Sequence, residues 1–400
     1  MLLNTFAPPF KLVGGYFIAG IFFLIASIPA FFAADFETIA GLETAGFLHV
    51  FFVGFVMSII IGALYQLTSV ILEKPFSTIK GAMLNLAVYC VGIAAMGYGM
   101  ISGKTGFMHG GGMALFLALL FFGTTYIVSF MDNEKKSFAA FMLFVSAVFL
   151  LAGISLGFCL LMILSGTLPM DFMFALKFHV YFVLGFVFFI IVGVATVLLP
   201  MFALAHDLKF TLSKFAFGFY ILAGVLLFFG EIYAYFAFGA AIICFVAEAL
   251  HILKKRVRKA YDYWNVNIAL SLAAFVLFYA FIAADRYDMA VFMLIYGFLF
   301  AFIAAHLYKI APFLIWYHYV APFVGKTKVP LLDQMILKKP AYIGIGFNAL
   351  GLALYELGVW LEIKSLAHCG VACLLVSIVL VAINMINVFK FTKFGIKEEK

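Results

Sequence analysis

The sequence predicts an all-α integral membrane protein with twelve transmembrane helices in one chain-long domain. Three observations predict it. Of 400 residues, 67% are hydrophobic and 11% charged, whereas soluble domains run at roughly 45–50% apolar and about 25% charged. The apolar residues gather into twelve runs, and a helix needs roughly 20 such residues to cross a bilayer. The basic residues between these runs sort to alternate ends of them.

Broken at charges and at Pro/Gly clusters, the runs are 12–34, 45–72, 81–102, 110–131, 138–165, 174–204, 213–231, 233–253, 264–284, 289–317, 341–362 and 366–390. The first, Leu12 to Ala34, is long enough to span and has no cleavage site, so it reads as a helix and not as a leader. Glu73, Lys74 and Pro75 end the second, Gly103 and Lys104 the third, and Asp132 to Lys136 the fourth. Gly166 to Asp171 separate the fifth from the sixth, and His206-Asp207 close the sixth. The seventh and eighth meet near Glu231, which demands a very tight turn. Lys254 to Lys259 end the eighth, Asp285-Arg286 the ninth, the Pro330 to Pro340 region the tenth and Glu362 to Lys364 the eleventh. Connections this short leave no room for a soluble domain.

With twelve spans, both termini and every second loop share a side. That side holds 21 of the 25 Lys and Arg residues, including Arg258, Lys397 and Lys400; the other keeps Lys104, Lys177, Arg286 and Lys364. The positive-inside rule then places both termini in the cytoplasm. Asp35, Glu37, Glu43, Asp171, Asp285 and Asp288 mark the outer face. The net charge of +7 therefore reports topology, not a nucleic-acid partner. The Lys254–Lys259 run is an anchor on anionic membrane lipid. Five cysteines form no zinc pattern, and Cys369 and Cys373, four apart on one helix face, read as packing.

The helices carry a hidden repeat. The second run reads His49-Val-Phe-Phe-Val-Gly54-Phe55 and continues to Gly62. The sixth reads His179-Val-Tyr-Phe-Val-Leu184-Gly185-Phe186 and continues to Gly193, with Leu184 as the one insertion. The tenth continues the theme at Gly297-Phe298, with Ala305 in place of the second glycine. Gly185 to Pro200 and Gly297 to Pro312 have equal spacing. Glycine-to-glutamate stretches ending at Glu231 and Glu356 agree more loosely. The unit is four helices, and three units occupy roughly 1–135, 136–260 and 261–400.

Three four-helix units, with a histidine near the outer end of a second helix, resemble the haem-copper oxidase subunit I superfamily. That resemblance implies twelve helices in three pseudo-symmetric arcs, with helix histidines holding two haems and a copper. The departures are specific. Residues 213–231 contain no histidine where the family has copper ligands. Met289 to Met293 contain none where it has two haem ligands, and His179-Val180-Tyr181 lacks the Pro and Glu of its copper motif. No binuclear centre follows, so a functional terminal oxidase is not expected. His49, Gly54-Phe55 and Gly62 are also similar to the second helix of the NnrS family, which is associated with haem, copper and nitric-oxide stress. The sixth helix here ends Ala205-His206-Asp207 instead of that family's Gly-His-Thr-Gly-Arg.

The residues themselves point the same way. An imidazole inside a membrane helix is costly unless it faces the bundle or binds something, and neutral imidazole is the commonest metal ligand. His49 and His179 are thus candidate ligands for haem b or, less favoured, copper. The alternative is that each makes only a structural hydrogen bond. In the family the corresponding histidines belong to different sites. His109, before Gly110-Gly111-Gly112, is a further candidate. So are Met289 and Met293, which stand in place of the missing haem ligands, because thioethers also bind haem iron and Cu(I). His306, far across the membrane, is expected to line an inner vestibule or bond a backbone carbonyl. Glu231 and Glu356 are proton-relay candidates if buried, and solvated helix ends otherwise. The expected function is cofactor binding in a bacterial inner membrane, in nitric-oxide stress, electron transfer or cofactor handling. A respiratory-chain protein or a small diatomic gas is the expected partner. The alternatives are a proton-coupled transporter or channel, or a cofactor-free partner of a respiratory complex.

Overall fold

The computed structural model describes residues 6–36, 40–257 and 259–395; Glu37, Arg258, Lys397 and Lys400 of the charge count lie outside the described residues. Twelve long helices follow one another among the described residues. They are α1 (Phe10–Phe31), α2 (Leu42–Leu72), α3 (Ala82–Ile101), α4 (Thr105–Val128), α5 (Phe138–Leu164) and α6 (Phe172–Ala203). After them come α7 (Thr211–Leu226), α8 (Glu231–Lys254), α9 (Tyr263–Ala283), α10 (Tyr287–Phe323), α11 (Lys338–Trp360) and α12 (Lys364–Lys393). Eleven are long and apolar enough to cross a membrane, so the protein is a multi-span membrane protein by the character of its helices; α7, at 16 residues, is shorter.

Three boundaries differ from the sequence expectation by five residues or more, the first being the start of α4, expected at 110 and found at Thr105. The seventh helix was expected to run through Glu231, but it ends at Leu226 and Glu231 opens α8. The reason is local: Gly230 adopts φ 158°, and a carboxylate is favoured in the first turn of a helix, beside its unpaired N–H groups. The tenth helix was expected to stop at 317, but it continues to Phe323 through a π turn at Trp316–Val320 and a short 3-10 turn.

The second helices of the three units, α2, α6 and α10, surround a common central crevice of about 80 Å³. Each contributes its residues at positions 2, 5, 6, 9, 10 and 13 beyond Gly54, Gly185 and Gly297, so the crevice is lined with threefold regularity. These spacings follow one face of a 3.6-residue helix. The three glycines themselves turn away from the axis. Gly54 seats Phe23 of α1, Gly185 seats Phe149 of α5 and Gly297 seats Ala274 of α9. The first helix of each unit also packs a fully buried serine against its own backbone: Ser27, Ser146 and Ser271 bond Leu24, Leu143 and Ile268.

The outer hairpins α3–α4 and α11–α12 are closed by glycine. Gly92, Gly99 and Gly111 in one, and Gly351, Gly358 and Gly370 in the other, lie where a β-carbon would strike the partner helix backbone. The two trios have identical spacing, and so do His109 and His368 and the left-handed turn residues Gly103 and Glu362. Backbones can approach this closely only without side chains between them.

Candidate functional site

His49 and His179 each sit seven residues past the N-terminal end of their helix, about 10 Å along it at 1.5 Å per residue. Equal depth lets them meet. Their ring centres are 6.5 Å apart and their planes lie within 13°.

Each ring is oriented by a backbone carbonyl. His49 Nδ1–H donates to Ala45 O at 2.7 Å, and His179 Nδ1–H donates to Gly153 O of α5 at 2.8 Å. Because a carbonyl only accepts, both rings carry the proton on Nδ1 and keep the Nε2 lone pair. Neither Nε2 has a hydrogen-bond partner among the described residues. A carbonyl on one nitrogen and a free lone pair on the other is the arrangement that metal-bound histidines use.

Local sequence builds both seats. His49 begins a π segment, His49–Met57, and π turns are frequent at functional sites. Just before it, Ala45 O accepts both the backbone N–H and the imidazole of His49. His179 reaches α5 because Gly157 has no side chain; a β-carbon there would stand 2.9 Å from Cε1 and 3.2 Å from Nδ1 of the ring. The Ala45 and Gly153 carbonyls and the Gly157 gap could not be read in the sequence, since nothing in it links α5 to the histidine of α6.

The remaining candidates lie elsewhere. His109 sits in the first turns of α4 and makes no hydrogen bond or ring contact with either imidazole. Met289 and Met293 are buried in α10, and Met293 Sδ packs at Gly297 beside Leu352 and Ala274. A second π segment, Met293–Phe300, begins at Met293. Glu231 is an exposed residue paired with Lys177 at 3.6 Å. Glu356 is different: it is 7% exposed, and neither carboxyl oxygen has a partner among the described residues. The Arg286–Asp288 pair, at 3.7 Å, lies at the start of α10, with Asp288 in its first turn. His306 Nδ1–H donates to Phe302 O at 2.8 Å while the ring lines the central crevice.

Asp262 caps α9 through Asn265 N–H and pairs with Lys309 of α10 at 2.8 Å. Burial opposes ionisation of Asp262, but the Lys309 ammonium and the Asn265 donors outweigh it and hold the carboxyl below its ordinary range. No family model matches the chain, and no curated protein matches it.

Proposed function

We propose that this is a haem- or metal-binding protein of a bacterial inner membrane, with an oxidase-subunit-I-like arrangement, both termini cytoplasmic, and one centre held jointly by His49 and His179. The observation that carries the reading is the pairing of two near-parallel imidazoles whose Nε2 lone pairs are unpartnered. Two imidazoles on opposite sides of one ion, each nitrogen about 2.0–2.1 Å from the metal, have ring centres roughly 6.4 Å apart, and the 6.5 Å separation of His49 and His179 matches that spacing. The donor set suits haem iron or copper, since imidazole binds both metals alike.

When bound, the group supplies one-electron redox chemistry. The chain's own residues do the rest. Ala45 O and Gly153 O fix the tautomer and aim the rings, Gly157 makes room for one of them, and the apolar helices around them limit access by water. This suits nitric-oxide stress handling, electron transfer or cofactor handling.

The test is an absorption spectrum and metal analysis of the detergent-purified chain, with His49→Ala and His179→Ala. A shared centre requires about one haem or ion per chain, lost in full from either variant. A colourless, metal-free wild type overturns the reading, and a variant that keeps the full signal removes its histidine from the centre. A second reading, proton-coupled transport, is favoured by the buried and unpartnered Glu356. Proton-driven solute uptake in proteoliposomes, abolished by Glu356→Gln, would support it.

A further inference from the structure

The central crevice carries one polar side chain among its lining residues. Its walls come from equivalent positions on α2, α6 and α10, with Phe17 of α1 beside them, and all are aliphatic or aromatic except one. At position 9 beyond the repeat glycine, α2 has Ala63 and α6 has Val194, while α10 has His306. His306 is 9% exposed, and its Nδ1–H is committed to Phe302 O. Its Nε2 lone pair has no partner among the described residues and is the one side-chain polar atom of the wall still free to accept a hydrogen bond.

We infer that this crevice binds a small neutral molecule with an apolar body and a single hydrogen-bond donor, which His306 Nε2 accepts. About 80 Å³ is roughly half of the ~150 Å³ apolar cavity that takes up benzene, so it accommodates a few non-hydrogen atoms. Water itself suits the site poorly, because a buried water needs about 2–4 polar partners and the wall offers one. An ion suits it less, since nothing there replaces its hydration. Entry is from the inner end: Val56, Val187 and Leu299 close the outer end as buried residues, whereas Leu67 and Ile310 at the other end are partly exposed.

Ethanol and xenon are the probes, applied to crystals of the full-length chain, with ethanol affinity measured in detergent from the Nε2 resonance of 15N-histidine-labelled protein. Wild type is expected to hold one ethanol in the crevice, its hydroxyl within hydrogen-bond distance of Nε2, and to bind xenon in the same space. His306→Leu restores the aliphatic character of the other two units; it should keep xenon and bind ethanol at least tenfold more weakly, read by displacement of xenon. Ala63→Leu narrows the crevice at the same level and should exclude both probes. Equal ethanol affinity in wild type and His306→Leu overturns the proposal. So does an ordered water on Nε2 that ethanol fails to displace, or a crevice that takes up neither probe. These outcomes do not depend on whether a metal is found at His49 and His179.

Discussion

The imidazoles of His49 and His179 stand 6.5 Å apart and nearly parallel, although 130 positions of chain separate them. Their helices meet at equal depth, and each ring is held by a different carbonyl, one on its own helix and one on its neighbour. The seat of His179 depends on a missing side chain. Gly157→Ala puts a carbon where the ring now lies, while alanine favours a helix over glycine by about 1 kcal/mol. The expected outcome is unchanged or higher helicity with at least a tenfold loss in retained metal or haem. Metal content per chain, beside circular dichroism, checks it. Wild-type content in this variant would show that the ring needs no such room.

Glu356 and Asn348 share the buried side of α11 but differ in what they hold. Asn348 donates to Tyr296 O at 3.3 Å and leaves only its Oδ1 unpartnered, whereas both Glu356 oxygens are unpartnered among the described residues. Replacing a buried group that makes no bonds by an apolar one is neutral or stabilising, while removing a donor strands its acceptor at about 1–3 kcal/mol. Glu356→Leu should therefore leave the melting temperature in detergent unchanged or raised, and Asn348→Leu should lower it. A large loss from Glu356→Leu would reveal a partner for the carboxyl.

The Asp262–Lys309 pair gives a signed pH effect. Because the folded carboxyl titrates below its ordinary value, its contribution is complete above the unfolded value, about 3.9 for Asp, and is lost as pH falls through the lower folded value. Asp262→Asn keeps a capping oxygen and removes the charge, so it should flatten this acid limb. Asp262→Ala also loses the cap, at about 1 kcal/mol. Denaturation midpoints measured from neutral pH downward test both; an unchanged acid limb in Asp262→Asn would assign the pH dependence to other groups.

Gly99 and Gly358 hold matching places in hairpins α3–α4 and α11–α12, each against partner backbone at Met108 and Ala367. Gly99→Leu and Gly358→Leu should each destabilise by at least about 1–3 kcal/mol, the usual cost of overpacking. Gly346→Leu, where a β-carbon meets nothing within 4 Å, is the control and should be near neutral. Thermal unfolding of the three variants decides; equal effects would remove the seam.

Some of this architecture was legible because it is written in composition and period. Uninterrupted apolar runs mark helices whose backbone must satisfy itself within the bilayer, so eleven spans and the short α7 could be located, with most ends within a few residues and the start of α4 and the ends of α7 and α10 missed by five or six. The turn at Gly230 was misplaced because hydrophobicity continues through Phe228 and Phe229 and only backbone conformation ends the helix. The identical glycine spacings of the two outer hairpins were present in the sequence but emerge as a signal only once paired helices show why glycine is needed. His306 could be read as bonding a carbonyl, yet its place on a shared axis needed the three helices together.

The sequence by itself determined a multi-span helical protein and singled out His49, His179 and Glu356 as expensive residues for a membrane interior. Tertiary structure alone decided that the two histidines face one another, that Glu231 is solvated while Glu356 is enclosed, and that three equivalent helix faces leave a crevice with one imidazole. The division has a physical cause. Transfer free energy is a local property of residues in a row, whereas the partner of a lone pair or a carboxyl is set by helices that meet across the bundle.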